Sequence, residues 1–146
     1  MKANLPDIFH EGAISPSLVA ESLQKYAANT AIGAYAVFVG QVRADVKGSD
    51  TVAAITYTAY QELALERMAE IRAEIFEKHP LTQLEVRHSL GRVAEGGICL
   101  LVLTAAAHRR AATEACNEVV ERIKSELPVW GKECFAAEGH QWKINK

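Results

Sequence analysis

Apolar residues recur every three or four positions in three segments of the chain, a spacing that places them on one face of a helix. The pattern predicts helices at about 15–28, 61–79 and 108–127. Serine and proline at the start of the first helix favour its opening turn, and Pro80 and Pro128 end the other two. The expected buried faces are Val19, Leu23 and Tyr26; then Leu63, Leu65, Met68, Ile71, Ile75 and Phe76; then Ala112, Ala115, Cys116, Val119, Val120, Ile123 and Leu127.

Other segments alternate apolar and polar residues, or are continuously apolar and rich in β-formers, which predicts strands. We expect strands at 7–13, 33–43, 51–60, 84–93, 98–106 and 133–135, a polar loop at 44–50 and a last aromatic stretch at 141–144. The sequence Glu95-Gly96-Gly97 is a hairpin signal, and a hairpin requires antiparallel pairing. The predicted architecture is one α+β domain, residues 1–146, with three main helices on a mixed or antiparallel sheet.

The composition narrows the function mainly by exclusion. The chain has 146 residues and a net charge of −2, so no global field attracts nucleic acid or an anionic membrane. No run of about 18 apolar residues occurs, and we expect a cytoplasmic protein without a membrane span. The three cysteines are odd in number and widely spaced, which argues against a disulfide framework and a zinc site. The histidines lack metal-ligand spacing and the glycines form no nucleotide fingerprint, so neither a metal nor a cofactor is expected.

Two lysines bracket the proline that ends the third helix. Lys124 precedes Pro128 and Lys132 follows it in the string IKSELPVWGKE, residues 123–133. A rigid corner holds both cations in fixed places, which suits binding an anion or activating an acyl group. Lysines at helix ends also commonly point into water. The apolar residues around the corner favour partial burial here.

A second group of cations, His108-Arg109-Arg110, opens the third helix. Positive charge at a helix N-terminus is unfavourable by roughly 0.3–1 kcal/mol per charge, and a bound anion would offset it. A solvated basic turn with His108 as the cap is an equally good interpretation. Arg43 ends a predicted strand and would suit two-pronged binding of phosphate or carboxylate, although single arginines at strand ends are more often plain surface residues.

Six ordered segments make the chain resemble the large, catalytic subunit of molybdopterin synthase. They cover the chain from about Asp7 to Trp142, in an order and spacing similar to those of the family. The segments are GAYAVFVGQVR (33–43), YTAY (57–60), HSLGRVAEGG (88–97), AAAHRRAATEAC (105–116), IKSELPVWGKE (123–133) and EGHQW (138–142). The resemblance implies an α+β fold of the hammerhead type.

The resemblance also implies a function in molybdenum cofactor biosynthesis. Enzymes of this family place two sulfurs on cyclic pyranopterin monophosphate and so make the dithiolene of molybdopterin. The sulfur arrives as a C-terminal thiocarboxylate on a small ubiquitin-like subunit, whose tail inserts into a pocket of the large subunit. Two large subunits form a homodimer with one small subunit at each far end, which gives a heterotetramer.

The family's functional positions map onto individual residues of this chain. The resemblance implies a catalytic role for Lys124 at the end of the third helix, and we predict a catalytic role for Lys132 as well. The residues expected to bind substrate are Arg43, His108, Arg109 and Phe38, with Lys146 or Lys143 in place of a basic residue near the family's C-terminus.

One position departs from the family pattern. The family has a catalytic lysine directly after the tryptophan of the 123–133 segment, whereas this chain has Gly131 there and Lys132 next. Lys132 could substitute if Gly131 lets the backbone turn, although adjacent strand residues point to opposite faces. The alternative is a non-catalytic or weakly active homologue that binds the ubiquitin-like subunit.

The length of the third helix adds a geometric constraint. Arg109 and Lys124 are 15 residues apart in the sequence, which corresponds to about 22 Å along a helix axis. One small substrate cannot touch both in a single chain. We therefore expect a composite site in which the other protomer of a dimer supplies His108 and Arg109.

Overall fold

The chain forms an eight-stranded sheet and three helices within the residues that the structure describes. This computed structural model describes residues 5–137, and the backbone of 140–142. The helices are α1 (Ser17–Tyr26), α2 (Gln61–Lys78) and α3 (Arg109–Glu126). The strands are β1 (Phe9–Glu11), β2 (Ala34–Gln41), β3 (Val46–Lys47), β4 (Asp50–Ala59), β5 (Leu81–Ala94), β6 (Ile98–Ala106), β7 (Val129–Phe135) and β8 (His140–Trp142).

The strands of the sheet follow the order β2-β6-β5-β4-β7-β8. All neighbours along this path are antiparallel, while β1 pairs with β5 in parallel and β3 pairs with β4. The hairpin predicted at 95–97 joins β5 to β6, and Gly96 adopts the positive φ of +84° that its turn requires. The mixed sheet with three helices confirms the predicted α+β class.

Helices α2 and α3 share the main core with the sheet. The predicted buried face of α3 is correct at every position, because residues 112–123 keep a regular helical spacing toward the sheet. The prediction for α2 is wrong at its edges, where Leu63 is 54% exposed and Phe76 is 37% exposed. The residues of α2 that are buried form a narrower stripe, namely Ala64, Met68, Ile71 and Ile75.

Polar contacts help to hold α1, and of the apolar face predicted for it only Tyr26 is buried. Leu23 is 37% exposed, and the buried residues of the helix are Ser22 and Tyr26. Both hydroxyls donate hydrogen bonds to the carboxylate of Glu85 on β5. Sequence periodicity missed this arrangement because it counts apolar residues and ignores a partly buried carboxylate with two donors.

Most elements begin or end a few residues from their predicted bounds, and the largest differences are at β3 and β7. The polar loop expected at 44–50 contains β3, which turns at Gly48 and pairs with the start of β4. Strand β7 begins at Val129, directly after Pro128, rather than at 133. The proline ends α3 as predicted, and only Leu127 and Pro128 connect the helix to the strand.

Candidate active site

A cleft of about 470 Å³ opens where the second half of β2, the last turn of α3 and the start of β7 meet. The antiparallel sheet brings β4, β5 and β6 to its floor. The lining residues are Phe38, Val39, Gly40, Gln41, Arg43, Tyr57, His88, Cys99, Leu100, Ile123, Lys124, Leu127, Val129 and Gly131. Three residues predicted from the sequence, Phe38, Arg43 and Lys124, therefore meet in one cavity.

Lys124 projects into this cleft from the last turn of α3. Its Nζ atom lies 5.9 Å from the centroid of the Phe38 ring, within the range of a cation–π contact. Lys124 forms no ion pair with any residue in the described part of the chain. Its charge is therefore available to an anionic ligand.

Arg43 lies at the mouth of the cleft, just beyond the end of β2. Its Nε atom donates to Asp45 Oδ1 over 2.7 Å, and its side chain is 79% exposed. The hydrogen bond that Arg43 donates to Asp45 raises the pKa of Arg43, and the guanidinium stays charged. An incoming phosphate or carboxylate would compete with Asp45 for the same donors.

His108 and Arg109 are not part of the cleft. His108 is the N-cap of α3 and both residues are exposed at the helix end opposite Lys124. His108 occupies the N-cap position and the turn is exposed, as the solvated-turn interpretation expects, although its side chain makes no capping hydrogen bond. The separation of about 22 Å along α3 keeps both residues away from Lys124 within one chain.

Lys132 lies on the face of β7 opposite to the cleft. Val129, Gly131 and Glu133 alternate as the buried residues of the strand, and Gly131 is the one that lines the cavity near Tyr57. Lys132 pairs across from Thr56 on the other face. Its catalytic role stays a prediction that this geometry does not support, and Lys146 lies outside the described residues.

Tyr57, His88 and Cys99 are cleft residues to which sequence reasoning gave no role. The rings of Tyr57 and His88 meet edge to face at 5.3 Å, and Cys99 is close enough to Tyr57 to affect its pKa. Two of the three lie in the segments at 57–60 and 88–97. The family-like segments therefore pointed to this region, but only the register of the three strands shows that these side chains lie close together.

His88 is buried and neutral in this setting. Its Nδ1–H donates to the carbonyl oxygen of Ser89 over 2.8 Å, which leaves Nε2 unprotonated. Burial lowers the pKa of His88, an effect that the hydrogen bond to Ser89 opposes only in part. Burial also raises the pKa of Tyr57 far above its ordinary value, with smaller contributions from Cys99 and Glu133.

The described residues offer neither a metal site nor a membrane span. Between residues 5 and 137, no group of three or more His, Cys, Asp or Glu side chains could hold a metal ion. No helix in the described part of the chain has the length and apolar character needed to cross a bilayer.

Comparison with known proteins identifies the family. The family model described as MoaE protein matches residues 14–126, well over half of the chain. This chain belongs to the MoaE family. Helices α2 and α3 fall entirely inside the matched region, as do all lining residues of the cleft except Leu127, Val129 and Gly131.

Relatives of this MoaE chain include proteins named molybdopterin synthase catalytic subunit. The protein from Oryza sativa subsp. indica is 38% identical over 116 residues, covering 80% of this chain and 59% of the rice protein. The Pseudomonas aeruginosa protein is 38% identical over 117 residues, covering 80% of this chain and 77% of the relative. This MoaE chain thus matches about three fifths of the rice protein's length.

Solved structures share the MoaE fold seen here. Molybdopterin synthase from Staphylococcus aureus superposes with a TM-score of 0.81 at 31% identity, over 92% of this chain and 94% of that one. A complex of subunits 1 and 2 of molybdopterin-converting factor from Helicobacter pylori gives a TM-score of 0.80 at 21% identity, over 94% and 90%. The second likeness is evidence for the fold alone. Both agree with the architecture of a molybdopterin synthase large subunit.

Proposed function

We propose that this MoaE chain is the catalytic subunit of a molybdopterin synthase. In this proposal it transfers sulfur from the C-terminal thiocarboxylate of a small ubiquitin-like subunit to cyclic pyranopterin monophosphate. The names of the rice and Pseudomonas relatives support this activity. The observation that carries it is the placement of Lys124 against Phe38 in a cleft with Arg43 at its mouth. Within residues 5–137, Lys124 forms no ion pair that would neutralise its charge.

The charges of the cleft fit the proposed ligands. Both the thiocarboxylate tail and the substrate phosphate are anions, and the cleft offers them Lys124 inside and Arg43 at the rim. When the thiocarboxylate sulfur attacks the substrate, the C-terminal acyl group of the small subunit becomes joined to the substrate through that sulfur. The ammonium of Lys124 would polarise the acyl carbonyl or move protons to the departing groups.

We propose that the working assembly is a homodimer of large subunits with a small subunit at each end. The position of His108 and Arg109, about 22 Å along α3 from Lys124, supports a composite site. In a dimer the exposed basic end of one α3 would complete the phosphate site near the other protomer's Lys124.

The non-catalytic alternative is not favoured. It rests on Gly131, yet the cleft retains Lys124, and the relatives described above are named catalytic subunits. We also propose that the protein works in the cytoplasm, because Cys99, Cys116 and Cys134 are all free thiols and such thiols persist in reducing compartments.

The decisive experiment measures dithiolene formation from cyclic pyranopterin monophosphate and thiocarboxylated small subunit. We expect wild-type protein to form product and Lys124→Ala to lose activity by about 100-fold or more, the usual effect of removing a proton-transfer group. Binding of the small subunit, followed by calorimetry, should survive the substitution.

The matched control is Lys78→Ala. Lys78 occupies the last turn of α2 as Lys124 occupies the last turn of α3, but it is exposed and pairs with Glu118. This variant should retain wild-type activity. Tight binding of the small subunit without any product from the wild-type protein would exclude the proposed activity.

A further inference from the structure

Tyr57 faces a glycine on each neighbouring strand. It pairs with Gly91 of β5 and with Gly131 of β7. A Cβ atom added to Gly131 would lie 3.1 Å from Cε1 of Tyr57 and 2.9 Å from Cγ2 of Ile55, closer than packed carbon atoms normally approach. The absence of a side chain at 131 is therefore what allows the Tyr57 ring to lie across β7 at the wall of the cleft.

Contacts on two sides fix the orientation of this ring. His88 meets it edge to face with an interplanar angle of 85°. Cys99 is a close neighbour of Tyr57, and its thiol donates to the carbonyl oxygen of Gly40 over 3.5 Å. A thiol sulfur is at most a weak acceptor, so an oxygen of a bound ligand would be the better acceptor for the Tyr57 hydroxyl.

The hydroxyl is also a permanent donor. Burial, the neighbouring Cys99 and the charge of Glu133 all raise the pKa of Tyr57 above its ordinary value of 10.0. The phenol therefore stays protonated wherever the protein is folded at neutral or moderately alkaline pH. It offers a hydrogen bond in the same cleft as the charge of Lys124.

We propose that Tyr57 is a further catalytic residue, whose hydroxyl donates a hydrogen bond to the acyl oxygen of the small subunit's C-terminus. This inference rests on the proposed function. After sulfur attacks the substrate, a thioester joins the small subunit to the pterin. Water then adds to the thioester carbonyl carbon, and the carbonyl electron pair moves onto oxygen. That oxyanion is the species to which Tyr57 donates.

Collapse of this intermediate completes the step. The oxyanion re-forms the carbonyl, and the carbon–sulfur bond breaks with its electron pair leaving on sulfur. The products are a dithiolene thiolate on the pterin, a carboxylate on the small subunit and two protons released to solvent. Neither an oxidant nor a reductant is needed.

The test uses Tyr57→Phe, which keeps the ring and removes only the hydroxyl. We expect kcat for dithiolene formation to fall about 100-fold, as for loss of one oxyanion donor, with KM unchanged because binding is not affected. In a single turnover the thioester between small subunit and pterin should accumulate and be visible by intact-mass spectrometry. The control is Tyr60→Phe, an exposed tyrosine outside the cleft, which should behave as wild type.

A second variant addresses the ring's position rather than its hydroxyl. Gly131→Ala should displace the Tyr57 ring and lower kcat although the hydroxyl is still present. It therefore tests the role of Tyr57 even if Tyr57→Phe does not fold. A folded variant with wild-type kcat would overturn the role of Tyr57 and leave the proposed function intact. The same conclusion would follow if Tyr57→Phe were slow but accumulated no thioester. A wild-type protein that makes no product would instead overturn both.

Discussion

At the scale of single residues, His88 shows how burial sets a protonation state. Its Nδ1–H is committed to the Ser89 carbonyl and its ring packs against Tyr57. Burial lowers the pKa of His88 below its ordinary value of 6.5, so the folded protein favours the neutral ring. The unfolded chain binds a proton more readily than the folded one.

This difference predicts a pH-dependent stability. Because the folded pKa is depressed, the contribution of His88 is fully present above about pH 6.5 and is lost as the pH falls below that value. We expect the free energy of unfolding to decrease between pH 7 and pH 5 less steeply in His88→Asn than in wild type. The asparagine amide can still donate to the Ser89 carbonyl. Urea titrations at several pH values give the two slopes, and parallel slopes would contradict the assignment.

The sequence identified part of the cleft at this scale. Lys124, Phe38 and Arg43 were predicted and do meet, because periodicity places the helix end and the strand end and the family resemblance indicates Phe38. Tyr57, His88 and Cys99 were given no role. A lone aromatic, histidine or cysteine in an apolar strand is indistinguishable from core until the pairing of β4 with its neighbours is known.

At the scale of elements, helix α2 packs against the core through only a narrow set of buried residues. Its buried stripe is narrow, and apolar residues beside the stripe stay exposed. Periodicity correctly predicted the existence and type of α2 and α3. It gave too wide a buried face for α2 and too late a start for β7, since sheet curvature and strand pairing are not encoded in local spacing.

The narrow stripe gives a prediction about stability. Ile71 is completely buried in α2, whereas Leu63 of the same helix is 54% exposed. We expect Ile71→Ala to lower the free energy of unfolding by about 2–5 kcal/mol through the cavity it leaves. Leu63→Ala should change it by less than about 0.5 kcal/mol. Denaturant titration measures both, and equal effects would show that the buried stripe is wrongly assigned.

At the scale of the whole molecule, the length of α3 links the two groups of predicted site residues. The helix presents Lys124 to the cleft at one end and Arg109 to solvent at the other. If the site is composite, each active centre in a two-fold dimer combines the Lys124 end of one protomer's α3 with the Arg109 end of the other protomer's α3. Sequence motifs place both groups on one helix but contain no information about which copies meet.

Mixing two inactive variants tests this arrangement. Arg109→Ala and Lys124→Ala should each be nearly inactive alone. When they are refolded together, a hybrid dimer has one site with both residues and one with neither, so roughly a quarter of wild-type activity should return. Native mass spectrometry confirms that hybrids form. A mixture of Lys124→Ala with Lys124→Gln is the control and should recover nothing; hybrids that form without recovery would exclude the composite site.

The opposition of Tyr57 and Gly131 also constrains how such a chain can diverge. A side chain gained at 131 collides with Ile55 and with the Tyr57 ring, so a lineage that acquires one there must first, or at the same time, make room at positions 55 and 57. Neither route is a single neutral step. Descendants of this sequence are therefore expected either to keep Gly131 and Tyr57 or to change both positions together.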